Sequence, residues 1–360
     1  MSTLYIRFVA HSSSPLQRSP LIERLIARAS SSAQVLDWRA DAFGLVAPPG
    51  TRMPPVATMA LQGGIAGGAA LGAAALGTAG LGTAGLGTAA LGTAASSAVS
   101  AATGAGEGTG TSSGVGARVW VATPVHLSAG MTHVRFPVEG RLQLDAEEAS
   151  ALAADFNRVF AGAGVRMVAG RTGVLLCVFD EALLAATHDP EAAVGRDVFD
   201  FQSSGRDAPR LRRLTSEIEM WLFDHAVNRQ RMGRGLPAIT GLWFWGGGEA
   251  SADMPTLPVW AAGRDVFFAA FGEVPKFPRD SRSGVVVLEA GPGSATWPEV
   301  ERRWLQPAIA ELRAGHIGQI HVSGAQRRFT MTRGLSLRFW RRPRPWWDYF
   351  GTGDGGLDGE

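Results

Sequence analysis

Apolar and polar positions follow two rhythms along this chain, and each change of rhythm marks an element. Residues 4–10, Leu-Tyr-Ile-Arg-Phe-Val-Ala, form a short apolar run that predicts a buried strand. Leu21, Leu25 and Ile26 then recur at helical spacing, which predicts a helix over 20–29. A strand is expected over 119–122 and a helix over 145–160, opened by Asp145-Ala-Glu-Glu with its acids at the positive helix end. Residues 165–168 and 174–179 read as two strands of a hairpin, 181–186 as a helical turn and 197–207 as a polar loop. Apolar runs follow at 257–262 and 266–271, and the β-branched run 284–289 suits a buried strand. Val300, Trp304, Ile309 and Leu312 predict an amphipathic helix over 297–314, and 317–322 and 329–337 read as closing strands. Strands alternating with helices define an α/β protein, a mixed sheet with flanking helices.

The stretch 210–248 concentrates the polar chemistry. Leu214, Ile218, Trp221 and Leu222 mark a buried helical face, with Thr215 as an N-cap-like start. A helix continuing to about Arg231 brings Glu217, Trp221, Asp224 and Asn228 into one sector, and His225, Asn228 and Arg229 into the next. Gly233, Gly235 and Pro237 end it, and a strand over 240–245 follows with Trp243 and Trp245 on one face. Gly246, Gly247 and Gly248 allow a free turn or a close backbone approach. Two readings of His225, Asn228 and Arg229 stand side by side: a pocket for a phosphate-like anion, or a buried polar network that locks the helix. Glu217 reads as a solvated helical glutamate, with general acid or base as its functional alternative.

Composition changes the picture at one place. Residues 53–106 carry no charge, and Leu71, Leu76, Leu81, Leu86 and Leu91 recur every five residues, a step that builds neither a helical stripe nor one strand face. This segment reads as a linker, and the glycine and threonine content argues against a membrane span. The organisation expected is a strand–helix segment of the core over 1–52, a low-complexity linker over 53–117, the α/β core over 118–345 and an acidic, glycine-rich tail over 346–360. The net charge of +2 and a lone cysteine, Cys177, fit a cytoplasmic protein without a disulfide.

Residues 224–248, DHAVNRQRMGRGLPAITGLWFWGGG, resemble a segment of archaeal-type cofactor-independent phosphoglycerate mutases, and more strongly one of the bacterial RpfE-type regulatory proteins. Asp224, His225, Asn228, Arg229, Gly233, Trp245, Gly246 and Gly248 are the matching positions, with weaker similarity over 119–179 and towards Trp340. The resemblance implies a fold related to, or trimmed from, the alkaline phosphatase-like mutases. The sequence departs from those enzymes where they hold metal. No Asp follows the first strand before Asp37, His316 and His321 stand five apart, and the chain has neither HExxH nor a cysteine pair. No Gly-Lys-Ser/Thr follows the triple glycine, so it is not a P-loop.

These readings converge on a degenerate phosphoglycerate mutase-like protein of the RpfE type that acts by binding a small anionic ligand or a protein partner. No cofactor, metal or membrane is expected. The ligand-binding candidates are Glu217, Asp224, His225, Asn228, Arg229, Trp243, Trp245, Gly246 and Gly248. The alternative is an active metal-dependent phosphomutase or phosphohydrolase. A further alternative is a nucleic-acid-binding regulator that uses the arginine-rich, aromatic segment 327–344; a charged strand edge is the favoured reading there.

Overall fold

The computed structural model describes residues 2–10, 18–30, 33–35, 37–64, 117–170, 173–248, 257–263, 265–271, 274, 276–278, 283–290, 297–324, 326–335, 338 and 340–350. Two sheets organise them. The first draws on both ends of the chain and comprises β1 (Ser2–Ala10), β2 (Ala33–Gln34), β9 (Val259–Ala262), β10 (Ser283–Ala290), β11 (Ile317–Gly324) and β12 (Arg327–Thr332). Their order is β2-β12-β11-β1-β10-β9; β11, β1, β10 and β9 run parallel, β12 is antiparallel to β11, and β2 is antiparallel to β12. Both faces are covered, as a parallel sheet requires. Leu4, Ile6 and Phe8 pack with α1 (Pro20–Arg28) and with the helical stretch α8 (297–314), whereas Tyr5 shares the other side with α2 (Trp38–Val46).

The second sheet, β6-β7-β3-β8, is antiparallel throughout and is built from β3 (Ala117–Val125), β6 (Val165–Ala169), β7 (Leu175–Leu183) and β8 (Gly241–Gly248). A small hairpin of β4 (Ser128–Ala129) and β5 (Val134–Arg135) follows β3. One face of the sheet, with Leu175, Cys177, Leu242 and Phe244, buries against α4 (Ala146–Val159) and α6 (Ala208–Phe223) through Leu152, Phe156, Leu211 and Ile218. On the other, Val119, Val121, Leu176, Val178 and Trp245 meet α3 (Val56–Gly64). Asp145 and Glu148 complete a capping box at the start of α4, as the acidic opening predicts.

Three elements differ from the sequence reading. Residues 56–64, placed at the head of the uncharged linker, form a packed helix whose Ala57, Met59 and Ala60 are buried, and residues 65–116 lie outside the described residues. Small side chains explain the difference, because they let α3 lie close on β8. A Cβ at Gly246, where φ is 64°, would come within 2.8 Å of Val56 Cβ, and one at Gly248 within 2.5 Å of Thr58 Oγ1. Residues 181–183 extend β7 and are not a helical turn, since Leu183 pairs with Ala117. The long helix expected to reach Arg231 breaks at Asp224. His225 is extended (φ −75°, ψ 143°), and its Nδ1 accepts the Val227 N–H at 3.2 Å, capping a new helix α7 (Ala226–Gly233). Thr215 therefore sits inside α6, where its hydroxyl donates to the Leu211 carbonyl at 3.0 Å. The apolar run 266–271 holds a 3-10 turn, Phe268–Phe271. Among the described residues no helix is long and apolar enough to cross a membrane.

Candidate functional site

The carboxyl ends of parallel strands are where α/β sheets gather their functional groups. Here that end of the six-stranded sheet meets the four-stranded sheet, and a network of ion pairs fills the joint. Arg7 arrives on β1, two residues past Tyr5 and on the same face. Asp37 caps α2 by accepting the N–H groups of Arg39 and Ala40, both at 3.0 Å, which sets Trp38 and Arg39 in the first turn. Just past β9, Asp265 accepts the N–H groups of Phe267 and Phe268 at 3.0 Å. Asp189 and Glu191 come from the connection after β7, at the start of the short helix α5 (Pro190–Ala193), where Asp189 accepts the Glu191 N–H at 2.9 Å. Each of these acidic or helical arms is thus fixed by a local backbone cap.

Arg39, 3% exposed, is the hub. Its Nε donates to Asp265 Oδ2 at 2.9 Å, Nη1 pairs with Asp189, and Nη2 lies 3.7 Å from Glu191 Oε1. Glu191 also accepts from Trp38 Nε1 and Arg141 Nη1, each at 2.8 Å, and from Arg7 Nη2 at 3.4 Å. The Arg39 guanidinium lies over the rings of Trp38 and Trp245, 4.6 and 4.8 Å from their centroids. Burial opposes the Arg39 charge, but Asp189, Asp265 and Glu191 outweigh it and hold the group above its ordinary range. Burial also pushes Glu191 up, yet Arg39, Arg141 and Arg7 reverse the effect and hold its carboxyl at about 2. Asp189 goes the other way, to about 6, because burial and the nearby Glu191 charge exceed the pull of Arg39. Three guanidiniums face three carboxylates.

A second polar patch adjoins this one on the same sheet face. Tyr5 aligns with His321 and His321 with Thr330; Arg7 aligns with Ser323 and Ser323 with Arg328. Arg7 Nη1 donates to Ser323 Oγ at 3.2 Å, Tyr5 donates to Asp41 Oδ2 at 3.0 Å, and Asp41 pairs with Arg328. Burial, with help from the Arg328 charge, lowers His321 to about 4. Its Nδ1 lies 2.9 Å from Thr330 Oγ1, and Nε2 is buried with no hydrogen-bond partner among the described residues.

The residues of the 224–248 motif divide between these surroundings. Trp245 reaches the network and donates from Nε1 to Thr123 Oγ1 at 2.8 Å. Trp243 lies on the same face, donating to the His188 carbonyl at 2.7 Å, one residue from Asp189. Gly246 and Gly248 seat α3. The rest lie elsewhere. Asn228 is buried, donates to the Leu222 and Ile239 carbonyls at 2.7 and 2.8 Å, and accepts the Ile239 N–H at 2.7 Å. His225 Nε2 lies 3.1 Å from Asp155 Oδ2; burial lowers its pKa although Asp155 pulls it up. Arg229 turns to solvent and pairs with Asp224 at 2.7 Å. Glu217 pairs with Arg213 on the exposed side of α6. The break at Asp224 parts Glu217 from the later groups, and at the start of α7 His225, Asn228 and Arg229 turn to different partners and do not converge.

Sequence reasoning passed over the network itself, along with Arg231. That buried guanidinium donates to the Pro237 carbonyl and to Glu148 Oε2, both at 2.9 Å, and ties α7 and the Gly-Pro turn to α4. One signal was present: Arg7 interrupts an apolar strand, and a charge in a buried run needs a partner. Among the described residues no three His, Cys, Asp or Glu side chains converge in a group that could hold a metal ion.

No protein-family model matches this sequence, and no curated protein is detectably similar to it in sequence. Distantly similar solved structures include two archaeal proteins. One is the cofactor-independent phosphoglycerate mutase from Thermoplasma acidophilum DSM 1728, 13% identical, with 96% of this chain and 93% of that one covered at a TM-score of 0.33. The other is the PH0037 protein from Pyrococcus horikoshii, 12% identical, with 90% and 81% covered at a TM-score of 0.31. Likeness at this level assigns no activity.

Proposed function

We propose that this chain acts by binding and not by turnover, as an RpfE-type regulatory protein that recognises a small anionic ligand or a protein partner. The observation that carries the reading is the state of the carboxylates at the joint. Asp189, Glu191 and Asp265 each face at least one guanidinium, and Asp189 and Asp265 also hold backbone N–H groups. Glu191, held at about 2 by three guanidiniums, is a poor general base, because its lone pairs are occupied and taking up a proton would break ion pairs. The resemblance of residues 224–248 to RpfE-type proteins supports the same reading. Of the proposed ligand-facing positions, Trp243 and Trp245 are the ones beside the network; Asn228 and Gly248 serve packing.

The test has two arms. The purified chain, supplied with manganese, is assayed for interconversion of 2- and 3-phosphoglycerate, and no turnover above blank is expected. Thermal melts are then run against a set of phosphorylated metabolites. A binder held at about 100 times its Kd stabilises by roughly 2.7 kcal/mol and raises Tm visibly. Turnover that a chelator abolishes would overturn the reading.

A further inference from the structure

Arg341, Arg342 and Arg344 line an open groove of about 450 Å³ together with Ala29, Phe329 and Tyr349. It lies between α1, β12 and the short helix α9 (Trp346–Phe350), away from the network. Arg342 and Arg344 each precede a proline, which keeps them out of the helical region and extended. At the polyproline rise of about 3.1 Å per residue, their Cα atoms stand roughly 6 Å apart. The segment is pinned at both ends. Arg341 Nη1 donates to the Ala29 carbonyl at 3.4 Å, and the Arg344 N–H donates to Tyr349 Oη at 3.2 Å. Neither the Arg342 nor the Arg344 guanidinium has an ion-pair partner among the described residues, unlike the arginines of the joint. Trp340, 66% exposed, stands at the head of the segment. The carboxylate carried by α9 is Asp348, whose field acts on Arg18.

We propose that this groove binds single-stranded nucleic acid, with successive phosphates on Arg342 and Arg344 and a base stacked on Trp340. Two guanidiniums carried two residues apart on an extended segment suit a repeated anion, which a single phosphorylated side chain does not offer. A lone tryptophan is too little apolar surface for a bilayer. Guanidiniums tracking a backbone beside an exposed aromatic ring are the pairing that single strands use. The prolines add pre-organisation, since little backbone freedom is lost on binding.

Fluorescence anisotropy of a labelled oligo-dT and an oligo-U of about 12 nucleotides, a length within the usual site sizes, tests this on the full chain. Saturable binding is expected in the micromolar to roughly 100 μM range typical of sequence-independent association. The double variant Arg342→Ala/Arg344→Ala should bind at least about ten-fold more weakly. Its plot of log K against log salt should be shallower by about 1.4, or about 0.7 for each phosphate left without its guanidinium. Trp340→Ala should weaken binding about five-fold or more and leave that slope unchanged. Arg342 and Arg344 are exposed, so circular-dichroism melts of the double variant should superimpose on the parent. Absence of binding at low salt would overturn the proposal, as would binding that the double variant leaves intact. Equal affinity for heparin and for oligo-U, with no effect of Trp340→Ala, would mean a plain polyanion interaction and would also overturn it.

Discussion

The two groups of arginines lie on opposite sides of the six-stranded sheet, and their surroundings differ in kind. On the side of Tyr5, Arg39 is buried against Asp189, Asp265 and Glu191 and stacked between Trp38 and Trp245. On the side of Ile26 and Phe329, Arg342 and Arg344 stand at an open groove on an extended segment. Removing a guanidinium from water costs several kcal/mol, which only close and well-oriented partners offset. The buried group therefore had to be assembled with its acids from separate parts of the chain. The exposed pair carries no such requirement and keeps its charge for something outside the molecule. The net charge of +2 hides this division completely.

The contrast can be broken most forcefully at the hub. Arg39→Ala leaves Asp189 and Asp265 without their guanidinium in the joint and should cost about 3–5 kcal/mol in urea denaturation. A loss below about 1 kcal/mol would mean that water replaces the guanidinium. Next comes the motif that follows α6. Asn228→Ala removes the side-chain donor to the Ile239 and Leu222 carbonyls and the acceptor of the Ile239 N–H, and should cost about 2–4 kcal/mol. Arg229→Ala, one residue on but in solvent, should cost less than about 1 kcal/mol. Equal losses for the two would remove the distinction between packing and surface within the motif.

Acid sharpens the comparison on the buried side alone. Asp189 has a folded pKa of about 6 against an ordinary 3.8. The folded state therefore binds more protons between those values, and this group's contribution to stability falls as pH rises from about 4 to about 6. His321 titrates at about 4 against an ordinary 6.5, so there the unfolded state binds more protons. Its contribution is fully present above pH 6.5 and is lost as pH falls towards 4. The two oppose each other in one window and leave the parent chain with a shallow profile. His321→Gln should expose a decline in stability from about pH 4 to 6, and Asp189→Asn a rise, each on the order of 1–3 kcal/mol. Denaturation midpoints across that range check both signs, and parallel profiles for parent and variants would refute the assignment. The smallest effect belongs to the groove, where Arg342→Ala with Arg344→Ala should change stability by less than about 0.5 kcal/mol.

Most strands and helices were legible because their apolar positions repeat with the element's own period, as in 4–10, 145–160 and 284–289. The break at Asp224 was not. Helical spacing persists across 214–231 in the sequence, and the interruption comes from an imidazole cap that no periodicity reports. The head of the uncharged segment misled for a related reason. Alanines and a methionine have no amphipathic stripe of their own, yet they fit a sheet whose glycines leave room for them. The ion network was the least visible part. Arg39, Asp189, Glu191 and Asp265 each have ordinary neighbours in the sequence; the parallel pairing of β1 with β10 and β10 with β9 brings Asp265 towards Arg7, and the meeting of the two sheets brings in Asp189 and Glu191. Trp245 stands among the candidates read from the sequence, whereas its partner Arg39 comes from the first helices of the chain and gave no local sign.

A double-mutant cycle between Arg39 and Asp265 addresses the central claim, that the carboxylates of the joint serve the buried guanidinium. Arg39→Met keeps a long unbranched side chain without the charge, and Asp265→Asn keeps an oxygen for the Phe267 and Phe268 N–H groups. Urea denaturation at neutral pH of the parent, the two single variants and the double variant yields the coupling energy. The account predicts about 1.5–3 kcal/mol, the upper part of the range for residues that share a buried network. Additivity within about 0.5 kcal/mol would show that the two side chains are neighbours without being partners, and would contradict it.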